Sequence, residues 1–258
     1  MSLLRSIADL IETIQTEGVY RGKAARVYTI LGRRAGFTST SVMNDVKEFD
    51  NAVAEIPILT GAEALEIISD SASDTAAGTG ARTVTVTYIN GSNALVESGA
   101  ITLNGVAAVA AGFTALEILW METATAGSGG VAAGNVRLRT VAGPVELEQI
   151  TAGGNKSRSA RFRVPTAHTA YLVDWEASAI SSRQDMRLRA QVNTIDRSLS
   201  TVYKFQDTHY LPEDQTAVIP LSFLKIPALA TVKVSTISNG TPSSNRADCS
   251  FDICVIAN

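Results

Sequence analysis

The chain has 258 residues, 45% of them hydrophobic and 18% charged, with a formal net charge of −3. That length suits about two domains of ordinary size with sizeable cores, and the charge argues against a general nucleic-acid binder, which carries a basic patch or stripe. No apolar run reaches the roughly eighteen residues a bilayer span requires. The opening residues lack a basic start followed by an unbroken apolar block, so no secretion signal and no membrane association are expected.

Residues 3–17 are expected to form an amphipathic helix, with Leu3, Ile7, Leu10 and Ile14 on one face and Gly18 as its stop. Its polar face carries Asp9, Glu12 and Glu17 against Arg5, so it suits docking onto protein better than onto a membrane surface. Arg21, Lys23, Arg26, Arg33 and Arg34 follow. They read either as a basic arm that docks on an acidic partner or as a solvated helix face. The Gly18–Ala24 stretch fails as a phosphate loop, because four residues must separate the glycines and Ser or Thr must follow the Lys. Over 37–56, Phe37, Val42, Val46, Phe49 and Val53 suggest another helix or a mixed connector.

From about Pro57 the pattern turns to strands. Thr83–Ile89 alternate with period 2, sending Val84, Val86 and Tyr88 to one face, and Asn90-Gly91 follows as a tight-hairpin signal. Further strands are expected over Ala115–Thr123, Asn135–Val141 and VELEQI, up to a boundary at Thr151–Asn155. Beyond it, candidates are Ser159–Val164, Ala170–Ala177, Met186–Val192, Thr201–Gln206, Ala217–Leu221, Thr231–Ile237 and Ser250–Ile256. Short strands between polar turns, without intervening amphipathic helices, imply antiparallel sheets. The expected fold is therefore mainly β. An N-terminal helical arm (1–56) precedes two antiparallel, jelly-roll-like β-sandwiches (57–150 and 151–258).

Candidate chemistry is sparse. The Gly127–Gly130 turn lacks the βαβ surroundings of a dinucleotide site, and His168 and His209 have no neighbours that suggest a metal pair or a triad. Cys249 and Cys254 lie in one strand roughly 16 Å apart with side chains on opposite faces, so they are expected as free, buried thiols in a reducing cytoplasm. Trp120 and Trp175 could stack on a glycan, but both occupy apolar strand positions that favour the core. Neither catalysis nor a cofactor is expected. Arg recurs at alternate strand positions in Arg137/Arg139, Arg161/Arg163 and Arg187/Arg189, which marks either a solvated sheet face or faces that meet neighbouring subunits.

The run SDSASDTAAGTGARTVTVTYINGSNALVESGAITLNGVAAV, then AGSGGVAAGNVRLRT, then AGGNKSRSARFRVPTAHTAYL resembles a module of tailed-bacteriophage structural proteins. The likeness covers roughly residues 65–256; Ala167-His168 stands where that family usually has a Gly after the Pro. It implies a virion component assembled in the host cytoplasm: a capsid decoration, cement or head-fibre-base subunit, a homotrimer that meets the major capsid protein or other virion proteins. The N-terminal stripe, the basic arm and Arg187/Arg189 would be its contacts. A tail or neck component and a glycan-binding appendage are the alternatives.

Overall fold

The computed structural model describes residues 25–37, 43–49, 53–57, 59–180, 184–191, 203–212, 214–238 and 245–258. Every regular element among them is a strand. First come β1 (Ala25–Ala35) and the two-residue β2 (Asn44–Asp45). Next are β3 (Glu63–Ser69), β4 (Ala81–Ile89), β5 (Leu95–Glu97), β6 (Ile101–Thr102), β7 (Val109–Ala115), β8 (Glu117–Ala126), β9 (Val136–Thr140) and β10 (Glu146–Ile150). The chain ends with β11 (Arg161–Arg163), β12 (His168–Ile180), β13 (Gln184–Gln191), β14 (Tyr203–Leu211), β15 (Gln215–Ile226), β16 (Thr231–Ser238) and β17 (Arg246–Ala257).

Two antiparallel sheets, β1-β17-β12-β15 and β11-β16-β13-β14, face each other across one core. Taken in chain order, the eight strands fall as first-eighth-third-sixth in one sheet and second-seventh-fourth-fifth in the other. That order is an eight-stranded jelly roll. Strands β3–β10 form a second sandwich inserted between its first and second strands, with sheet β10-β9-β3-β7 against β4 and its partners β5, β6 and β8.

Side-chain parity explains the packing. In β17, Cys249, Phe251, Ile253 and Val255 enter the main core, while Cys254 and Ile256 face the other way beside Val173. Both thiols are free and buried. In β12 a register shift between Leu172 and Asp174 changes the parity, so that Leu172 and then Trp175 both point inward. In β4, Val84, Val86 and Tyr88 fill the inserted sandwich, whereas Ile89 joins the jelly-roll core. The two cores therefore meet. Tyr28 of β1 packs against the jelly-roll core beside Trp120 of β8, with ring centroids 5.7 Å from Trp120 and 5.5 Å from Phe162.

The helical arm is corrected. Ala25–Ala35 is a strand hydrogen-bonded along its length to β17, and no described residue is helical. The predicted helix over 3–17 lies outside the described residues. In β1, Tyr28, Ile30, Gly32 and Arg34 point one way and Val27, Thr29, Leu31 and Arg33 the other, a period of 2 in a segment rich in β-branched residues. Its partner lies 215 residues further on, where Arg33 meets Asp248, so no local pattern announces the pairing. The described part of 37–56 is an irregular connector carrying β2 and a bridge from Lys47 to Ser159. The hairpin at Asn90-Gly91 is also looser than a two-residue turn. Its positive φ falls at Asn93, and the Asn90 side chain accepts from the Ser92 and Ala94 amides.

Gly32 marks how closely β1 closes the roll: a Cβ there would lie 2.5 Å from the Ala160 Cβ and 2.9 Å from the Cys249 Sγ. Gly32→Ala is predicted to cost about 1–3 kcal/mol by overpacking, measured by chemical denaturation. An unchanged midpoint would mean that β1 does not sit against β11.

Candidate interaction surfaces

The motifs singled out in the sequence converge on one buried carboxylate. Asp74 is fully buried and accepts from the Ser69 hydroxyl (2.6 Å) and the amides of Ala81 (2.7 Å), Ala133 (2.8 Å) and Gly134 (2.9 Å). Four donors replace the water a buried carboxylate loses. The turn before β4 is thereby tied to the turn before β9. The Asp74 carbonyl also takes the Gly105 amide, and Ala132 and Gly153–Gly154 exchange backbone bonds. Close approach dictates the glycines: a Cβ on Gly80 would lie 2.1 Å from the Asp74 Oδ1, and one on Gly127 2.1 Å from the Gly78 carbonyl oxygen. These turn residues thus hold one another.

A second set of buried charges lies where the connector, the inserted sandwich and the jelly roll meet. Asp45 accepts from the Lys233 Nζ (2.8 Å), the Ser235 hydroxyl (2.7 Å) and the Ile56 amide (2.8 Å). Burial raises its pKa, but Lys233 and these hydrogen bonds prevail and hold the carboxyl below its ordinary 3.8. Arg34, also fully buried, donates to the Asp45 carbonyl at 3.1 Å. Arg161 donates to the Leu147 carbonyl at 3.1 Å and Arg163 to the Asn93 side chain at 3.2 Å, both acceptors being in the inserted sandwich.

These contacts locate the residues singled out from the sequence. Leu3, Ile7, Leu10, Ile14, Arg21 and Lys23 lie outside the described residues. Arg26 is exposed on β1. Arg33 pairs with Asp248 (2.8 Å) and Glu48 (3.5 Å), while Arg34 is turned inward. Arg187 and Arg189 stand in β13 at register positions opposite Ser235 and Lys233. The other alternating arginines are engaged within the chain: Arg137 with Asp70, Arg139 with Glu66 (2.7 Å), and Arg161 and Arg163 across the junction. Trp175 is buried, and Trp120 is half-buried, in a tilted contact with Tyr28 and with the Lys156 Nζ 5.2 Å from its ring centroid.

The surface that sequence reasoning missed is the outer face of sheet β1-β17-β12-β15. Register lines up Leu31, Ser250, Glu176 and Val218 as one row across the four strands, with Val27, Cys254, Tyr171 and Lys225 as a further row along the same face. Leu31 is 38% exposed and Val218 66%. Between these rows Asp174 lies opposite Asp252; burial, then Asp252 and Glu176, raise the Asp174 pKa. Tyr210, 72% exposed, adds an apolar side chain on β14. A valine at an alternating position near a strand end was the available signal for Val218; the row itself exists only once the register is known.

No family model matches the chain, and no curated protein matches it. Among solved structures it is similar to the viral particle of infectious bursal disease virus, at 10% identity over 93% of this chain and 71% of that one, with a TM-score of 0.25. The VP2 subviral particle of the same virus gives 10% identity, 93% and 73% coverage and a TM-score of 0.23. The N-terminal CBM22 tandem domain from Paenibacillus barcinonensis Xyn10C gives 12%, 92% and 94%, and 0.19. Overlaps at such low TM-scores assign no role to this chain.

Two substitutions test the buried carboxylates. Asp74→Asn places an amide against backbone donors and is predicted to cost about 2–4 kcal/mol in urea unfolding; under about 0.5 kcal/mol would contradict the role assigned to it. Lys233→Met leaves Asp45 buried without its cation, at a predicted cost of about 3–5 kcal/mol. Because the folded Asp45 pKa is lowered, its contribution is present above the ordinary carboxylate range and is lost as pH falls through the lowered value. In Lys233→Met the acid-unfolding midpoint therefore moves to higher pH.

Proposed function

We propose that this protein is a structural component of a virus particle, a capsid-associated decoration, cement or head-fibre-base subunit that acts by binding and not by catalysis. The observation that carries this reading is the strand order, first-eighth-third-sixth against second-seventh-fourth-fifth. Eight-stranded jelly rolls serve viral capsids, lectins and cupins, so the fold alone is an analogy. Two further observations favour the first of these. The interior between the sheets is filled by Trp175, Phe162 and Phe251, leaving the broad outer faces and strand edges for recognition. Asp74, within the run that resembles tailed-phage structural modules, ties the turns before β4 and β9 together in the inserted sandwich.

The partners in this reading are copies of the chain, as a homotrimer, and the major capsid protein or another virion protein. Contacts would come from the row Leu31–Val218, from Tyr210, from Arg26 and from the residues before β1. Many shallow contacts repeated by symmetry give avidity without a deep pocket. Neither nucleic acid nor a membrane is needed. In a tail or neck component the same faces would pack into a ring. A glycan-binding role would have to use Trp120, which is half-buried, since Trp175 is buried in the jelly-roll core.

Imaging of purified particles tests the reading. Density for this chain on the head shell is expected; density at the neck or tail moves the assignment there, and absence from the particles overturns it. Light scattering of the purified chain is expected to give a trimer. Leu31→Asp and Val218→Asp are predicted to weaken that trimer while changing monomer stability by under about 0.5 kcal/mol. To keep β1 intact, a truncation that tests the arm must end before Ala25.

A further inference from the structure

The inserted sandwich and the jelly roll meet at a buried carboxylate that the functional reading does not use. Glu148, in β10, is fully buried. One of its oxygens accepts from the Ser159 hydroxyl (2.7 Å) and from the Gln149 amide (3.2 Å). The other, Oε2, has no hydrogen-bond partner among the described residues and lies 3.8 Å from Arg161 Nη2. Arg161 uses that same Nη2 to hold the Leu147 carbonyl, and its Nε is also unpartnered among the described residues. Glu148 thus stands on the inserted sandwich facing Ser159 and Arg161 of the jelly-roll side, and this contact is only half satisfied.

The charged groups around it are few. Arg161 faces it from β11 and Lys47 from the connector. Lys233, opposite Arg161 in β16, is held by Asp45. On β10 itself Glu146 lies 3.7 Å from Arg137, and on β8 Glu122 pairs with Lys156 at 2.6 Å. The Glu48 carbonyl accepts from the Gln149 side chain, and the Glu48 carboxylate is turned to Arg33. At 3.8 Å and without a hydrogen bond, Arg161 compensates poorly for the water an ionised Glu148 would give up.

We propose that Glu148 is a proton-operated latch between the inserted sandwich and the jelly roll, closed when the carboxyl is protonated and loosened when it ionises. Burial pushes its pKa up to about 7, against the pull of Arg161, Ser159, the Gln149 amide and Lys47. For an acid raised on folding, the stabilisation is complete below the ordinary value of 4.5 and is lost as pH rises through about 7. Slightly acid conditions therefore fix the two units against each other, and alkaline conditions free them. This inference does not depend on the virion reading.

The test is urea unfolding of the full chain across this range. Between about pH 6 and about pH 8 the unfolding constant of the unmodified protein is expected to rise about tenfold. Glu148→Gln, which mimics the protonated carboxyl, is expected to lose that dependence. His168 and His209 remain in both proteins, so the difference isolates Glu148. Parallel dependence in the two, or none in the unmodified protein, overturns the latch. If Glu148→Gln does not fold, NMR titration of the Glu148 carboxyl decides: a midpoint near 7 supports the proposal and one near 4.5 overturns it.

Discussion

The pairing of β1 with β17 is the constraint on which the rest of the structure depends. These strands close one sheet of the jelly roll from the two ends of the described chain, in unbroken antiparallel register from Ala25–Ile256 to Ala35–Arg246. Once β1 is committed there, the connector stays against the roll through β2, and the chain from β3 to β10 leaves it and returns to β11. The chain uses that excursion to build a complete second sandwich. Closing so long a loop has an entropic cost that grows only slowly with length, and the apolar burial around Tyr28, Phe162 and Trp120 offsets it.

Charge at the junction follows from the same topology. The two sandwiches approach through strand ends and turns, where backbone carbonyls such as Leu147 O, Asp45 O and Val53 O accept from arginine side chains. Arg34 and Arg161 supply these donors, and a planar guanidinium reaches several acceptors at once. Buried arginines call for buried acids in turn, and Asp45 and Glu148 sit among them. Asp45 is fully hydrogen-bonded and stays ionised; Glu148 is not, and its proton becomes part of the packing.

Strand character was legible wherever the pattern was local. The alternation of Thr83–Ile89 and the short strands after Gly153 needed only period and turn residues, and the opposite-facing cysteines followed from their spacing. The β1 segment was misread because its charges stood out more than its alternation, and because its partner is remote. The role of the arginine pairs was equally hidden. Arg137 and Arg161 occupy the same kind of alternating position, yet one salt-bridges an acid on a half-exposed face while the other is buried at the junction. No local pattern marks Asp74, since its donors at Ala133 and Gly134 come from about sixty residues on. The outer-face row from Leu31 to Val218 needs three strand registers to be seen at all.

The jelly roll closed by β1 is the central claim, because the strand order that carries the functional reading requires it. Amide hydrogen exchange of the native chain measures it directly. If β1 is the first strand of the roll, its ladder amides between Val27 and Arg33 exchange as slowly as those of β17, through global unfolding. Exchange of those amides at the rate of an unstructured chain, while β17 stays protected, would contradict the account.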